Sequence, residues 1–484
     1  MTPASAPGLR GRTLRSFLLL GAQKAIAIVV TAAGSIALAR LLTPEVFGLY
    51  AILSFVITLG VRFSELGLGA ALIQRRDLDA VGGLGAAFTA TLGLALLLGA
   101  AIAAAGPLVA RWPGVSEDVT APLRWLALLV VLSALRMPAS VLLERRLAYL
   151  PLTIAESADT VAFNIVAVAA ALAGAGLWSF VAGALAARAV NVVIVWSVTS
   201  WRPDLKLRWR ELAPVLKFGI LFQGSIVITI AGDSVVPLFV TAASGVAAVG
   251  LLNWAAMLAF LPLQVVSIAG RVLFPALSSL QTDARRFAGA AERALNRVTT
   301  VLYPAAALLL AAAEPVVRLI FGEVWAPAVP AVRCFCLSAI IGGTSTILVH
   351  ALYCLGRPDL VFRLNLAGAV LLWALTLLLV PWLGFVGFAV ASAALACASV
   401  SYTALSLRRL VPIRILPAVR VPLTASLASA ATLAALVAVW IHDLPSLVLG
   451  AALSAGVYVV LAGLVGGAAW RVEFIADWRT VLQG

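Results

Sequence analysis

The stretch Ala39-Arg40-Leu41-Leu42-Thr43-Pro44-Glu45-Val46-Phe47-Gly48-Leu49-Tyr50 decides how the rest of the chain is read. It is a tight polar corner between two long apolar runs. Thr43 can cap the second run, Pro44 fits a first helical position whose N–H would go unused anyway, and Glu45 sits where the helix dipole favours an anion. One helix therefore ends here and another begins. Gly48, one turn into the second helix, permits close backbone approach, so the two are expected to pack as a hairpin.

Outward from that hairpin the chain stays apolar. Of its 484 residues 63% are hydrophobic and 11% charged, with mean hydropathy +1.10, which leaves too little polar surface to cover a water-soluble globule. The expected class is an all-α polytopic membrane protein. A net charge of +14 fits basic loops held against the cytoplasmic face, and no compact basic domain exists to bind nucleic acid. Cys334, Cys336, Cys354 and Cys397 lie in apolar segments as inert small hydrophobes, and His350 and His442 are the only histidines, so neither a metal nor a cofactor is expected.

Arg10, Arg12 and Arg15 precede an apolar run, and Ala37-Leu38-Ala39 looks superficially like a signal-peptidase sequence. The run from Phe17 to Ala39 is too long for a signal-peptide core and long enough to span a bilayer, so it is read as an uncleaved first helix, with the chain beginning near Met1.

Apolar stretches of about 20 residues recur about fourteen times, near 16–41, 46–71, 83–107, 121–143, 151–173, 176–199, 212–240, 246–274, 296–320, 327–354, 359–381, 384–407, 420–441 and 445–469. Lysine and arginine collect on alternate connections, leaving little more than Arg40, Arg111 and Arg318 on the other side. Both termini are therefore expected in the cytoplasm, with an even number of spans. Gly21 and Gly34 match Gly219 and Gly232 at a common offset of 198, Gly48-Leu49 is echoed by Gly250-Leu251, and Arg146 and Gly176 match Arg357 and Gly387 at an offset of 211. The pattern implies two six-helix bundles related by a parallel internal repeat, with two extra C-terminal helices outside it. In residues, the bundles are 1–200 and 212–407, joined by a basic cytoplasmic linker at 201–211, and 408–484 holds the added helices and a cytoplasmic tail. Within the second bundle, 278–298 sets Phe287, Ala291, Leu295 and Val298 on one helical face and Arg285, Arg286, Glu292, Arg293 and Arg297 on another, the pattern of a helix lying on the cytoplasmic interface.

Four stretches carry a family resemblance: the corner itself, Ser64-Glu65-Leu66-Gly67-Leu68-Gly69-Ala70-Ala71-Leu72-Ile73, Leu273-Phe274-Pro275-Ala276-Leu277-Ser278-Ser279-Leu280, and the run from Glu314-Pro315-Val316-Val317-Arg318 through Trp325-Ala326-Pro327-Ala328. Together they resemble polysaccharide-transport flippases of the Wzx type, in the multidrug/oligosaccharidyl-lipid/polysaccharide exporter superfamily. The resemblance implies two six-helix bundles around a central cavity that alternates access. Its implied task is flipping an undecaprenyl-diphosphate-linked oligosaccharide across the bacterial cytoplasmic (inner) membrane, for exopolysaccharide, capsule or lipopolysaccharide O-antigen. Implied partners are that lipid-linked glycan, membrane lipids, and the polymerase and glycosyltransferases of the same pathway. Alternatives in the superfamily are a lipid II-type flippase and a cation-coupled multidrug antiporter.

An enzyme is the remote reading. Asp77-Leu78-Asp79 is the one acidic pair of the sort that holds a metal and a nucleotide sugar, but its loop is too short to build such a site. None of Lys24, Lys206 and Lys217, the only lysines, follows a glycine, so no phosphate-binding loop exists for ATP.

Charge deep in a bilayer is costly, so depth sorts the candidates. Arg124, Arg136, Lys217, Arg271 and Arg333 lie near enough to helix ends to reach an interface. The deeper set divides by role. Lys24, Arg62, Glu65 and Arg188 are candidates for contacting an anionic substrate in a cavity. Lys24 could equally anchor its helix, and Arg62 could simply neutralise Glu65 three residues on. Glu156, Asp159 and Asp233 are candidates for coupling a proton or sodium ion, with an Asp159–Arg188 ion pair as the structural alternative. Arg40, Pro44 and Gly48 mark the corner as an outer gate. On the resemblance, Glu65 also falls where the family commonly has an acid before Leu-Gly.

Overall fold

The computed structural model of the protein describes residues 29–74, 82–112, 114–115, 117–203, 209, 212–213, 216, 230–232, 234–264 and 277–483. These are helical throughout, with no strand among the described residues. Among the described residues, eleven helices are long and apolar enough to cross a membrane. Three shorter apolar pieces, Val29–Leu41, Val236–Val240 and Val246–Ala259, fall inside the other three expected spans, and Thr241–Ser244 continues the second beyond its expected end. The chain divides into unit 1, Met1–Ile230, and unit 2, Ala231–Gly484, a boundary inside the span expected over 212–240 rather than in the 201–211 linker.

Unit 1 begins with α1 (Val29–Leu41) and α2 (Pro44–Glu65). At the corner the Leu42 N–H returns to the Leu38 carbonyl at 2.9 Å and the Phe47 N–H to the Thr43 carbonyl at 3.3 Å. Thr43 takes the cap position with an extended backbone, but its side chain makes no capping bond; Pro44 and Glu45 alone match the terminus chemically. Gly48 is buried, as are Phe47 and Leu49 beside it.

The span expected over 46–71 is not one helix. It breaks at Leu66 (φ 45) and Gly67 (φ 67), and α3 (Leu68–Gln74) restarts the helix. Gly67 adopts that conformation freely, whereas at Leu66 it costs about 1–2 kcal/mol. Burial offsets the cost, because Leu68, Ala71 and Leu72 enter one core with Leu84, Ala87, Met137 and Val141. The unit is completed by α4 (Gly82–Ala104), α5 (Thr120–Leu126), α6 (Leu128–Arg145), α7 (Tyr149–Leu172) and α8 (Leu177–Ser197). The last two form the most extensive helix pair, and Gly183 makes their approach possible, since a Cβ there would sit 2.9 Å from Ala167 Cβ and 3.0 Å from the Phe163 carbonyl oxygen.

Unit 2 holds α9 (Val246–Ala259), α10 (Ala284–Ala311), α11 (Val329–Cys354), α12 (Pro358–Leu383), α13 (Val386–Arg408), α14 (Ile415–Val439) and α15 (Leu444–Gln483), the last bent at Gly467. The interfacial helix expected at 278–298 is instead the first half of α10, continuous with the following span. Asp283 starts it, its carboxylate accepting the Arg285 and Arg286 N–H groups at 3.1 and 3.0 Å. The apolar face of Phe287, Ala291, Leu295 and Val298 packs against Val411, Ile413, Ile415 and Val419, so protein covers the surface that the pattern assigned to lipid. Polar ties reinforce that face. Glu292 accepts the Arg414 N–H at 2.6 Å, Asn296 donates to the Ala418 carbonyl at 2.7 Å, and Tyr458 on α15 donates to the Thr300 carbonyl at 2.8 Å. The last two helices thus belong to the core of unit 2.

Candidate functional site

Four helices of unit 1 carry charge at one level. Arg136 lies nine residues before the end of α6, Arg188 nine before the end of α8, Glu65 nine before the end of α3, and Asp159 ten after the start of α7. At 1.5 Å per residue each is about 14–15 Å from the same end of the unit. With Arg62 and Glu156 the group holds three cations and three acids, so its formal charge is balanced.

The sharpest contacts belong to Arg136. Its Nε donates to Asn191 Oδ1 at 2.8 Å, and a terminal nitrogen lies 3.6 Å from Glu156 Oε1. Asn191, 1% exposed, donates its amide to the Ala155 carbonyl at 3.2 Å. Arg136 is therefore bound into the α6–α7–α8 packing rather than reaching to an interface, and Glu156, a candidate for ion coupling from sequence, is its partner. Trp196 fastens the same three-helix face through its indole N–H to the Leu135 carbonyl at 2.9 Å.

Asp159 and Arg188 lie within electrostatic range of one another, but among the described residues no contact within 4.0 Å joins them. Arg188 also acts on Glu65 and on the Tyr50 hydroxyl, so it sits among groups from α2 and α7 without a short bond to either. Arg62 is exposed and Glu65 and Arg188 half-buried; Arg40 is exposed at the opposite end. Lys24 and Asp233 lie outside the described residues. Arg136 is the member that sequence reasoning missed, although counting back from Arg145 gives it the depth of Arg188.

Unit 2 differs in chemistry. Every buried polar side chain among its described residues bears a hydroxyl, with Tyr303 and Thr344 bonded at 2.7 Å. Arg318 bridges Glu314 at 3.3 Å and Glu323 at 2.6 Å, and Arg333, expected to reach an interface, meets Glu314 at 3.5 Å.

Apolar helices long enough to cross a membrane, in two units of which the first holds charge at mid-depth, define a multi-pass membrane protein. In fold it is similar to the lipid II flippase MurJ in its inward closed conformation (TM-score 0.77, 12% identity, covering 93% of this chain and 98% of that one). It is similar too to an inward-facing multidrug resistance transporter of the MATE family (TM-score 0.62, 15% identity, 79% and 95%). The family described as polysaccharide biosynthesis protein matches residues 37–330, more than half of the chain. The chain therefore belongs to that family, and eleven of its described helices are long and apolar enough to cross a membrane, which makes it a multi-pass membrane protein. Its relatives include the lipopolysaccharide biosynthesis protein WzxC of Escherichia coli, 23% identical over 68% of this chain and 67% of that protein. Another is the succinoglycan biosynthesis transport protein ExoT of Rhizobium meliloti, 27% identical over 69% and 66%. The chain thus spans about two thirds of the length of each.

Proposed function

We propose that this protein flips an undecaprenyl-diphosphate-linked oligosaccharide repeat unit from the inner to the outer leaflet, alternating access between the two sides. The carrying observation is the charged level of unit 1. Arg136 is committed to Asn191 and Glu156, which leaves Arg188 as the half-buried cation able to meet a diphosphate. Lys24 would add a second cation. Asp159 and Glu65, flanked by arginines, suit proton exchange better than sodium binding, because the cations that balance them would repel a metal ion. The same arginines count against a cationic drug as cargo. Neighbouring polymerases and glycosyltransferases would supply and consume the glycan.

In proteoliposomes, Arg188→Gln is expected to lower translocation of the lipid-linked glycan at least tenfold, a loss of about 1.4 kcal/mol or more, while the protein remains folded. Undiminished flux would remove Arg188 from the path. An imposed proton gradient should change flux in the parent and not in Asp159→Asn; gradient-independent flux in the parent would reject coupling altogether.

A further inference from the structure

At the end of unit 1 opposite its arginine-rich connections lies a cleft of about 710 Å3 that the translocation reading leaves unused. Three separate parts of the chain wall it: Leu49 near the start of α2, Asp118, Thr120 and Arg124 around the start of α5, and Leu177 and Trp178 opening α8. Chain order puts all three starts beside the Thr43–Pro44 corner, while Arg145, Arg146 and Arg202 lie at the far end. By the positive-inside rule the cleft faces outward.

Its frame is rigid. Phe47 and Tyr50, flanking Leu49, pack on Phe180, two residues beyond Trp178, with ring centroids 5.0 and 4.4 Å apart. Val119 and Leu123 are both 0% exposed and anchor the stretch that presents Asp118 and Arg124. The polar groups are therefore held by packed helices, as a binding site needs.

The lining has one chemistry in common. Asp118, Arg124 and Trp178 are exposed, and among the described residues Asp118 and Arg124 have no hydrogen bond or ion pair within the protein. A carboxylate accepts from neighbouring hydroxyls, a guanidinium donates in a planar fork, and an indole offers a flat apolar face with one N–H at its edge. A pyranose presents the complement, with a rim of hydroxyls and a face of C–H groups that suits an aromatic ring. An acyl chain would desolvate both charges with nothing in return. A lone phosphate would meet Asp118 and make no use of the indole. The volume lies within the range of about 300–1,000 Å3 typical of small-molecule sites, enough for a short oligosaccharide.

We propose that this cleft is a saccharide-binding site that receives the sugars of the translocated glycan on the outer side, with Trp178 stacking on a pyranose ring and Asp118 and Arg124 hydrogen-bonding its hydroxyls. The proposal rests on the reading of the chain as a glycolipid translocator. Binding there would hold the head of the cargo outside while its lipid follows, and would favour release over return.

The test uses the full chain in nanodiscs, with the oligosaccharides that mild acid frees from the lipid-linked glycans of the producing cells as the probe. Saturation-transfer NMR is expected to show sugar C–H protons in contact with the parent protein. Trp178→Ala should weaken binding about five- to tenfold, the loss of one aromatic contact, Asp118→Asn should weaken it as well, and Trp178→Phe should keep most of it; thermal melts establish that each variant is folded. Equal binding by parent, Trp178→Ala and Asp118→Asn would place the sugar elsewhere and overturn the proposal. So would displacement of the sugar by glycerol phosphate, which would make the cleft a phosphate site. A parent that translocates the lipid-linked glycan in proteoliposomes yet binds no freed oligosaccharide would overturn the cleft and leave the translocation reading standing. A parent that translocates nothing would overturn that reading, with the cleft still decided by the Trp178 and Asp118 variants.

Discussion

Arg136 shows how a buried neutral partner can outweigh an exposed charged one. Its contact with Glu156 is long and the Glu156 side chain is 66% exposed, so solvent screens it to about 1 kcal/mol or less. Asn191 is buried and joins Arg136 to the α7 backbone, so Asn191→Leu should destabilise by about 1–3 kcal/mol by stranding both partners. Double-mutant cycles followed by thermal unfolding are expected to give a larger coupling for Arg136 with Asn191 than with Glu156, and the reverse order would reject this ranking. A second residue governs pH behaviour. Between α14 and α15, hydrogen bonds from the Ser446 hydroxyl and backbone N–H hold the Asp443 carboxyl below its ordinary 3.8. A carboxyl with a depressed pKa in the fold stabilises it above the unfolded value, and that contribution is lost as pH falls through the folded one. The melting temperature of the parent should thus exceed that of Asp443→Asn at pH near neutral and approach it below pH 3.8; a gap unchanged by acid would show the carboxyl to be a bystander.

Among elements, the run from Glu314 to Ala328 is better explained by packing than by motif. Trp325, 0% exposed, lies 4.6 Å centroid to centroid from Trp254 of α9, which in turn meets Phe321 edge-on at 4.8 Å, and Arg318 bridges Glu314 and Glu323 within the same run. Trp325→Ala should cost about 3–5 kcal/mol and Trp325→Phe much less, as read from the melting of purified unit-intact protein; similar losses for both would mean that the ring itself is dispensable. Elements also mark where the sequence was legible. Hydropathy located the helices because each must bury about twenty apolar residues. It could not show the break after Glu65, since Leu66-Gly67-Leu68-Gly69 is as apolar as the helix on either side and only the backbone angles differ. Nor could it tell that the apolar face of α10 meets protein, because an amphipathic pattern looks the same whatever covers it.

At the scale of the molecule, the two units share helices but not chemistry. The chain divides into two units at Ile230 and Ala231, inside a span that the repeated glycines assigned to the second bundle, and the four corner and loop motifs pointed to the family. The difference in buried polar chemistry between the units was only partly readable, because depth along a helix can be counted from sequence whereas the neighbour that claims a charge cannot. Arg136 and Arg188 are chemically identical at equal depth, and only the fold gives one of them Asn191.

The bond from Asn296 to Ala418 crosses 122 residues of sequence. A ribosome adding about 5–20 residues per second needs about 6–24 s to cover that distance. Throughout that interval the newly inserted α10 lacks the cover that Val411, Ile413, Ile415 and Val419 give to Phe287, Leu295 and Val298. Birth order therefore leaves one face of α10 as a surface on which an insertion chaperone would have much to do.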